Sequence, residues 1–325
     1  MPNTVLVTQS LPDQYLDSLA EHAELDVLEA DQHLSDSALA MRRAACHGVV
    51  CTLTDTIDRD VLQDMENLEF VSSVSVGVDH IDVSALSARG IAVGNTPGVL
   101  VDTTADTAFA LLLAAARRIA EGDRYIRDGK WTASKRWTPD FFLGKDVSGS
   151  TLGIVGLGPI GQAMAQRAAG FGMTLASWTP SGREVTGVRS MPLEELLATS
   201  DFVSVHVALS DTTRNLIDGA RIATMKPGAV LINTARGGIV DESAVAAALD
   251  DGHLFAAGLD VFEEEPVPAD SPLLKHPRVV VVPHIGSATA STRRKMVDLA
   301  VANAVAALRG EPMPYCVNPE VYTSL

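Results

Sequence analysis

Short apolar, β-rich runs recur along the chain and are separated by stretches with helical periodicity. In the first third, Val5–Thr8, Leu25–Glu29, Val49–Leu53, Phe70–Val76 and Ile91–Asn95 are expected as strands. Asp13–His22, Asp36–Ala45 and Asp58–Met65 are expected as helices between them. An Ala/Leu-rich segment, Val101 to Ala120, follows Pro97-Gly98 and opens with Asp102-Thr103-Thr104, good chemistry for a helix start. After a loop with Trp131, Trp137 and Pro139 the alternation resumes. Its predicted strands are Leu152–Val155, Leu175–Trp178, Phe202–Val207, Val230–Asn233, Ala257–Val261 and Val279–Val282, and a last long helix is expected from Ala288 to Leu308. Strands alternating with helices over this length predict an α/β fold with parallel sheets.

Composition narrows the function classes. At 325 residues the chain has room for two domains, and 46% hydrophobic with 20% charged residues is ordinary for a globular protein. The longest apolar run, Ala108 to Ala116, is too short for the ~20 residues a bilayer requires. Met1-Pro2-Asn3-Thr4 lacks a basic region and a cleavage site, so no secretory signal is expected and a cytoplasmic location is. A net charge of −16, from 41 acidic against 25 basic residues without a Lys/Arg run, argues against nucleic-acid partners. Cys46, Cys51 and Cys316 show no metal-type pairing, so neither a metal site nor a disulfide framework is expected.

The most specific local motif is Gly156-Leu157-Gly158-Pro159-Ile160-Gly161, which follows the strand-like Leu-Gly-Ile-Val and precedes a helix. Gly156 permits the tight turn and Gly158 lets backbone approach a pyrophosphate. Gly161 lets helix and strand pack closely, and the helix N-terminus offers N–H groups to phosphate. A dinucleotide is therefore the expected cofactor. The next strand ends in Thr179-Pro180-Ser181-Gly182-Arg183, with no carboxylate where a ribose-binding Asp or Glu usually stands. A carboxylate would repel a 2′-phosphate and a guanidinium would bind one, so NADP(H) is favoured and NAD(H) stays possible. The alternative for Arg183 is a solvated loop charge.

Three further segments follow in order: Ile232-Asn-Thr-Ala-Arg236-Gly-Gly, Gly258-Leu-Asp260-Val-Phe-Glu-Glu-Glu265-Pro, and Pro283-His284-Ile-Gly286-Ser287. With the glycine motif and Gly77-Val-Asp-His-Ile-Asp82, they make nearly the whole chain resemble the D-isomer-specific 2-hydroxyacid dehydrogenases. The run around Gly98 to Thr104 and the segment Phe141-Phe142-Leu143-Gly144 resemble the glyoxylate and hydroxypyruvate reductase branch. The resemblance implies a Rossmann coenzyme domain, residues 100–285, inserted into a flavodoxin-like substrate domain of residues 1–99 and 286–325, with a ligand cleft between two doubly wound parallel sheets.

It also implies Arg236, Glu265 and His284 as the catalytic set. The chemistry suits a small 2-keto or 2-hydroxy acid. Arg236 is a permanently charged fork for carboxylate and carbonyl oxygens. His284 is of the residue type that exchanges protons near neutrality, and Glu265 beside it would favour the imidazolium. Each alone has an ordinary alternative: a surface ion pair for Arg236, a solvated acidic loop for Glu265, a core histidine for His284.

The same resemblance assigns Thr104, Thr234, Ala235, Asp260 and Gly286 to the coenzyme, together with Arg236 and His284. It assigns Leu53, Val76 and Gly77 to the substrate, whose carboxylate would meet backbone N–H groups of the Ser75–Val78 loop. A homodimer is implied as well. Trp137 would reach into the neighbouring subunit or else pack within its own. Glu265 stands where formate dehydrogenases carry Gln, and no C-terminal regulatory extension of the phosphoglycerate dehydrogenase kind is expected. A dehydrogenase acting on another substrate (2-ketogluconate, phosphite), and a non-catalytic dinucleotide-sensing corepressor, remain the alternatives.

Overall fold

A computed structural model describes residues 3–135 and 137–323; Met1 and Pro2, part of the N-terminal reading, lie outside them. The chain divides into two compact units, Met1–Leu100 with Thr289–Leu325, and Val101–Ala288.

The first unit begins with β1 (Thr4–Val7), α1 (Asp13–Ala20), β2 (Glu24–Val27), α2 (Ala40–Ala45) and β3 (Gly48–Cys51). It continues with α3 (Arg59–Leu62), β4 (Phe70–Ser73), α4 (Val83–Ala88) and β5 (Ala92–Gly94). All five strands are parallel, in the order β2-β1-β3-β4-β5, which is the flavodoxin-like winding. Leu6, Val49, Val71 and Val93 point to one face and pack with Leu39, Leu62 and Leu86 of the crossovers.

The second unit opens with α5 (Val101–Ala116) and α6 (Ile119–Arg127), then β6 (Thr151–Val155), α7 (Pro159–Ala169), β7 (Thr174–Trp178) and β8 (Arg189–Ser190). There follow α8 (Leu193–Thr199), β9 (Phe202–Val205), α9 (Gly219–Thr224), β10 (Ala229–Asn233) and α10 (Glu242–Asp250). It ends with β11 (Leu254–Leu259), α11 (Pro272–Lys275) and β12 (Val279–Val281). The sheet runs β12-β11-β10-β9-β6-β7-β8, all parallel, with strand order reversing between β6 and β9. That is the doubly wound dinucleotide topology with one added strand. Both faces are covered. Leu112, Met164 and Ile232 belong to one core layer, and Leu196, Val245 and Leu231 to the other. Burial on both faces explains why β10, Ala-Val-Leu-Ile-Asn, reads as a continuous apolar run.

The last helix, α12 (Ala290–Leu308), belongs to the first unit and covers the sheet face opposite α2–α4. Thr289 caps it by accepting from Thr292 N at 3.2 Å, and its Ala300 carbonyl accepts from Ser72 Oγ at 2.8 Å.

Several boundaries differ from expectation for physical reasons. The helix expected over 101–120 breaks at Arg118, whose φ of 53° is left-handed. Its guanidinium pairs with Glu121 at 2.7 Å and lies 4.2 Å from the Phe142 ring centroid, so side-chain partners hold the break. The helix expected over 36–45 starts as a 3-10 turn, Ser37–Leu39. The one expected over 58–65 shortens to α3, where the Asp58 carboxylate accepts from Asp60 N and Val61 N, both at 3.0 Å. Strands expected to reach Leu53 and Val76 stop at Cys51 and Ser73. Beyond Ser73 the chain turns out of the sheet as the glycine loop.

Candidate active site

The dinucleotide motif lies at the strand-order reversal, as β6, a turn, and α7. Gly156 has a φ of 102°, and a Cβ on it would lie 2.6 Å from Val207 N. A Cβ on Gly161 would lie 2.1 Å from the Gly156 carbonyl oxygen. Only glycine lets β6, β9 and α7 approach this closely. Gly158 faces open space, Pro159 starts the helix, and the N–H groups of the first turn have no intrahelical acceptor. Anionic phosphates match that arrangement of donors and helix dipole. Two strands away, just after β10, the Thr234 hydroxyl is buried without a partner among the described residues. A cradle open at Gly158 and a buried hydroxyl lacking a partner fit a bound dinucleotide.

At the end of β7, Thr179, Pro180, Ser181 and Arg183 form a tight exposed turn. Thr179 Oγ1 accepts from Arg183 N at 3.1 Å and meets Ser181 Oγ at 3.1 Å. The Arg183 guanidinium makes no ion pair with any described carboxylate.

Arg236, Glu265 and His284 come from loops after three neighbouring strands, β10, β11 and β12, at their carboxyl ends. Asn233 closes the first loop. Its Oδ1 accepts from Ala235 N at 3.0 Å and its Nδ2 donates to the Arg236 carbonyl at 2.8 Å. The Arg236 side chain is half-buried and donates to the Ala235 carbonyl at 2.9 Å. Gly237 joins this loop to the next, since a Cβ there would lie 1.9 Å from the Phe262 carbonyl carbon. Glu242, in the first turn of α10, accepts from Glu263 N at 2.5 Å and holds the second loop from below.

Glu265 accepts from Phe262 N at 2.9 Å through Oε1 and meets His284 Nδ1 at 2.7 Å through Oε2. The two side chains are 33% and 22% exposed, enclosed enough to interact yet open to a small ligand. Burial works to raise the Glu265 pKa. The hydrogen bonds from His284 and Phe262 N, with the charges of His284 and Arg236, outweigh it and hold the carboxyl below its ordinary value. Glu265 is thus an ionised partner for the imidazole, and the ring's other nitrogen, Nε2, has no partner among the described residues.

His284 has a φ of 52°, and its N–H donates to the Asp260 carbonyl at 2.9 Å. The Asp260 carboxylate accepts from Ile285 N at 2.6 Å and Gly286 N at 2.8 Å. It is 1% exposed, and burial raises its pKa against the pull of those two N–H groups. A Cβ on Gly286 would lie 2.9 Å from Asp260 Oδ2 and 3.3 Å from Thr104 Cγ2, so Thr104, Asp260 and Gly286 are neighbours.

Leu53, Val76 and Gly77 belong to the other unit, each half-buried in a loop after β3 or β4. Sequence reasoning passed over Asn233, Gly237 and Glu242. An Asn at a strand end followed by a turn was the available signal for the first; nothing local pointed to the other two. Trp137 is 75% exposed within this chain, and Trp131 59%. No helix of the described residues is long and apolar enough to cross a membrane. Cys46 and Cys51 are buried, and burial pushes the Cys46 thiol up to about 12, which keeps it protonated.

Residues 109–286 match the family model for the D-isomer specific 2-hydroxyacid dehydrogenase NAD binding domain. A glyoxylate reductase from Korarchaeum cryptofilum is 47% identical over 99% of this chain and 97% of its own length. One from Pyrococcus horikoshii is 42% identical over 99% and 97%. Among solved structures, an NADPH-dependent glyoxylate/hydroxypyruvate reductase from Sinorhizobium meliloti, in complex with NADP and malonate, superposes with a TM-score of 0.87 at 32% identity, covering 98% of both chains. With this agreement in fold, motif order and full-length similarity, the chain belongs to the D-isomer specific 2-hydroxyacid dehydrogenase family, whose cofactor is a nicotinamide dinucleotide.

Proposed function

We propose that the protein reduces glyoxylate or hydroxypyruvate to the corresponding 2-hydroxy acid, the D isomer where C2 becomes a stereocentre as it does from hydroxypyruvate, with NADPH as the preferred coenzyme. The observation that carries this reading is the 2.7 Å Glu265–His284 pair on strand-end loops beside the loop of Arg236. Relatives at 47% and 42% identity named glyoxylate reductase support it.

The reduced nicotinamide supplies a hydride to the carbonyl carbon. The residues of the chain supply the rest. Arg236 draws the carboxylate and the carbonyl oxygen of the keto acid and polarises the C=O bond. His284 Nε2 donates the proton that converts the developing alkoxide to a hydroxyl, and Glu265 balances the imidazolium before that transfer. Val76 and Gly77 offer backbone N–H groups to the substrate carboxylate, and Leu53 is the third substrate residue in this reading. Residues 100–285 form the coenzyme domain in this reading, and residues 1–99 with 286–325 the substrate domain. Thr104, Thr234, Ala235, Asp260 and Gly286 complete the coenzyme contacts.

The NADPH preference rests on Thr179, Ser181 and Arg183, which pairs with no described carboxylate; this turn offers hydroxyls and a guanidinium to a 2′-phosphate and its own residues 179–183 include no carboxylate. A cytoplasmic homodimer is part of the same reading. Ile119, Ile126, Trp131, Trp137 and Leu143 are exposed apolar side chains of α6 and the loop after it, as expected of a surface that a second copy covers.

The test is NADPH and NADH oxidation with glyoxylate and hydroxypyruvate. His284→Ala is expected to lose at least ~100-fold in kcat, the scale of general-acid catalysis, while coenzyme affinity is kept. Unchanged turnover would remove the role of His284. Arg183→Ala is expected to weaken NADPH binding selectively, and an equal loss for NADH would sink the coenzyme assignment.

A further inference from the structure

The glycine loop of the first unit is held by three successive carbonyl groups. The Ser75 carbonyl accepts from Thr96 N at 2.8 Å. The Val76 carbonyl accepts from the Asn95 side-chain Nδ2 at 2.9 Å. The Gly77 carbonyl accepts from Ser75 Oγ at 2.7 Å, and Ser75 Oγ in turn lies 2.7 Å from Ser73 Oγ, which is 3.2 Å from His80 Nε2. A trans peptide is planar, with its N–H directed opposite to its C=O. Pinning these carbonyls therefore also aims the N–H groups of Val76, Gly77 and Val78. None of the three has an acceptor among the described residues.

The supports are themselves buried and anchored. Ser73 is 0% and Ser75 2% exposed. The Asn95 backbone is tied on both sides, its N–H to the Tyr315 carbonyl at 3.1 Å and its carbonyl to Asn303 Nδ2 at 3.0 Å. Asn303 is fully buried on α12, and its Oδ1 accepts from Tyr315 N at 2.9 Å. A Cβ on Gly94 would lie 2.7 Å from Asn303 Nδ2, so this anchor leaves no slack next to Asn95.

We propose that Asn95 and Ser75 are positioning residues that set the carboxylate affinity of the enzyme, by fixing the direction of the Val76–Val78 N–H groups without touching substrate themselves. The inference rests on the proposed keto-acid reduction. An N–H row held in advance costs no reorganisation when an anion docks. Loss of either support lets the peptides rotate, so the carboxylate has to order them itself. That cost falls equally on ground and transition states and appears in KM, not in kcat.

The experiment compares full-length wild type with Asn95→Ala, Asn95→Asp and Ser75→Ala under saturating NADPH. The probes are glyoxylate, its methyl ester, which keeps the carbonyl but has no charge, and oxalate as a competitive anion. For Asn95→Ala and Ser75→Ala the glyoxylate KM and oxalate Ki are expected to rise together by about tenfold, the scale of one hydrogen bond. kcat should stay within about threefold of wild type, and kcat/KM for the ester should not move. Asn95→Asp is nearly isosteric but sets a carboxylate against the Val76 carbonyl, so its glyoxylate KM should rise further. Unchanged KM and Ki in variants that bind NADPH normally would overturn the inference, as would equal losses for acid and ester. If one variant does not fold, the others carry the same expectation. Failure of wild type itself to reduce glyoxylate would count against the proposed reaction instead; oxalate affinity of wild type and variants, measured by calorimetry, would then still decide the role of the loop.

Discussion

His284 occupies the left-handed region, which costs an L-residue roughly 1–2 kcal/mol. The surroundings offset that cost: its N–H is bonded to the Asp260 carbonyl, and the Asp260 carboxylate grips the two N–H groups that follow. The imidazole is thus aimed by backbone as well as by Glu265. Gly237 illustrates the opposite constraint, a residue whose value is having no side chain. Gly237→Ala would force the Arg236 and Glu265 loops apart, and overpacking of this kind costs about 1–3 kcal/mol. Urea denaturation should show that loss, with a fall in kcat; an unchanged midpoint would mean the Phe262–Glu263 backbone yields freely. His206, just after β9 and beside the Gly156 turn, is a titration probe. Burial pushes its pKa down from 6.5 to about 4, although the residue keeps some solvent contact, and Nε2 lies 2.8 Å from Ser204 Oγ. Between those values the unfolded chain binds the proton and the folded one does not, so stability falls as pH drops from 6.5 towards about 4. Thermal melts across that window should show His206→Gln with a shallower decline than wild type. Parallel curves would remove His206 as the cause.

At the scale of elements, strand ends do most of the placing. β10, β11 and β12 are adjacent and parallel, so their carboxyl ends bring Arg236, Glu265 and His284 onto neighbouring loops although 48 positions separate the first from the last. α5 supports this side of the sheet from behind. Leu112 is fully buried in the layer that contains Ile154 and Ile232. Leu112→Ala should destabilise the protein by about 2–5 kcal/mol through the cavity it leaves. Chemical denaturation would measure it; a loss under about 1 kcal/mol would show that the layer collapses to fill the gap.

The whole molecule is two units, each with its own sheet and core, and the dinucleotide motif lies in only one. Coenzyme at one hundred times its dissociation constant adds about 2.7 kcal/mol to whatever it binds. Amide exchange should therefore slow most in β6, α7 and β10 and least in β1 to β3. Equal slowing throughout would show that coenzyme stabilises both units as one.

Sequence alone determined the α/β class, the glycine turn and the order of the motifs, and it singled out Arg236, Glu265 and His284 as candidates. Each of these is written in local periodicity, or in residue types that only a few jobs require. The break at Arg118, the short α3 and the early end of β4 were decided by the partners that side chains and backbone find in the folded chain, some near in sequence, as Glu121 is to Arg118, and some far, as Phe142 is. So were the roles of Asn95, Ser75, Gly237 and Glu242. Glycine, asparagine and serine are common loop residues, and nothing within a few positions of Asn95 shows that its amide meets a carbonyl 19 residues earlier. Local pattern encodes which elements form and what chemistry they carry. Which backbone groups end up held, and which stay available to a ligand, depends on long-range packing that only the tertiary structure specifies.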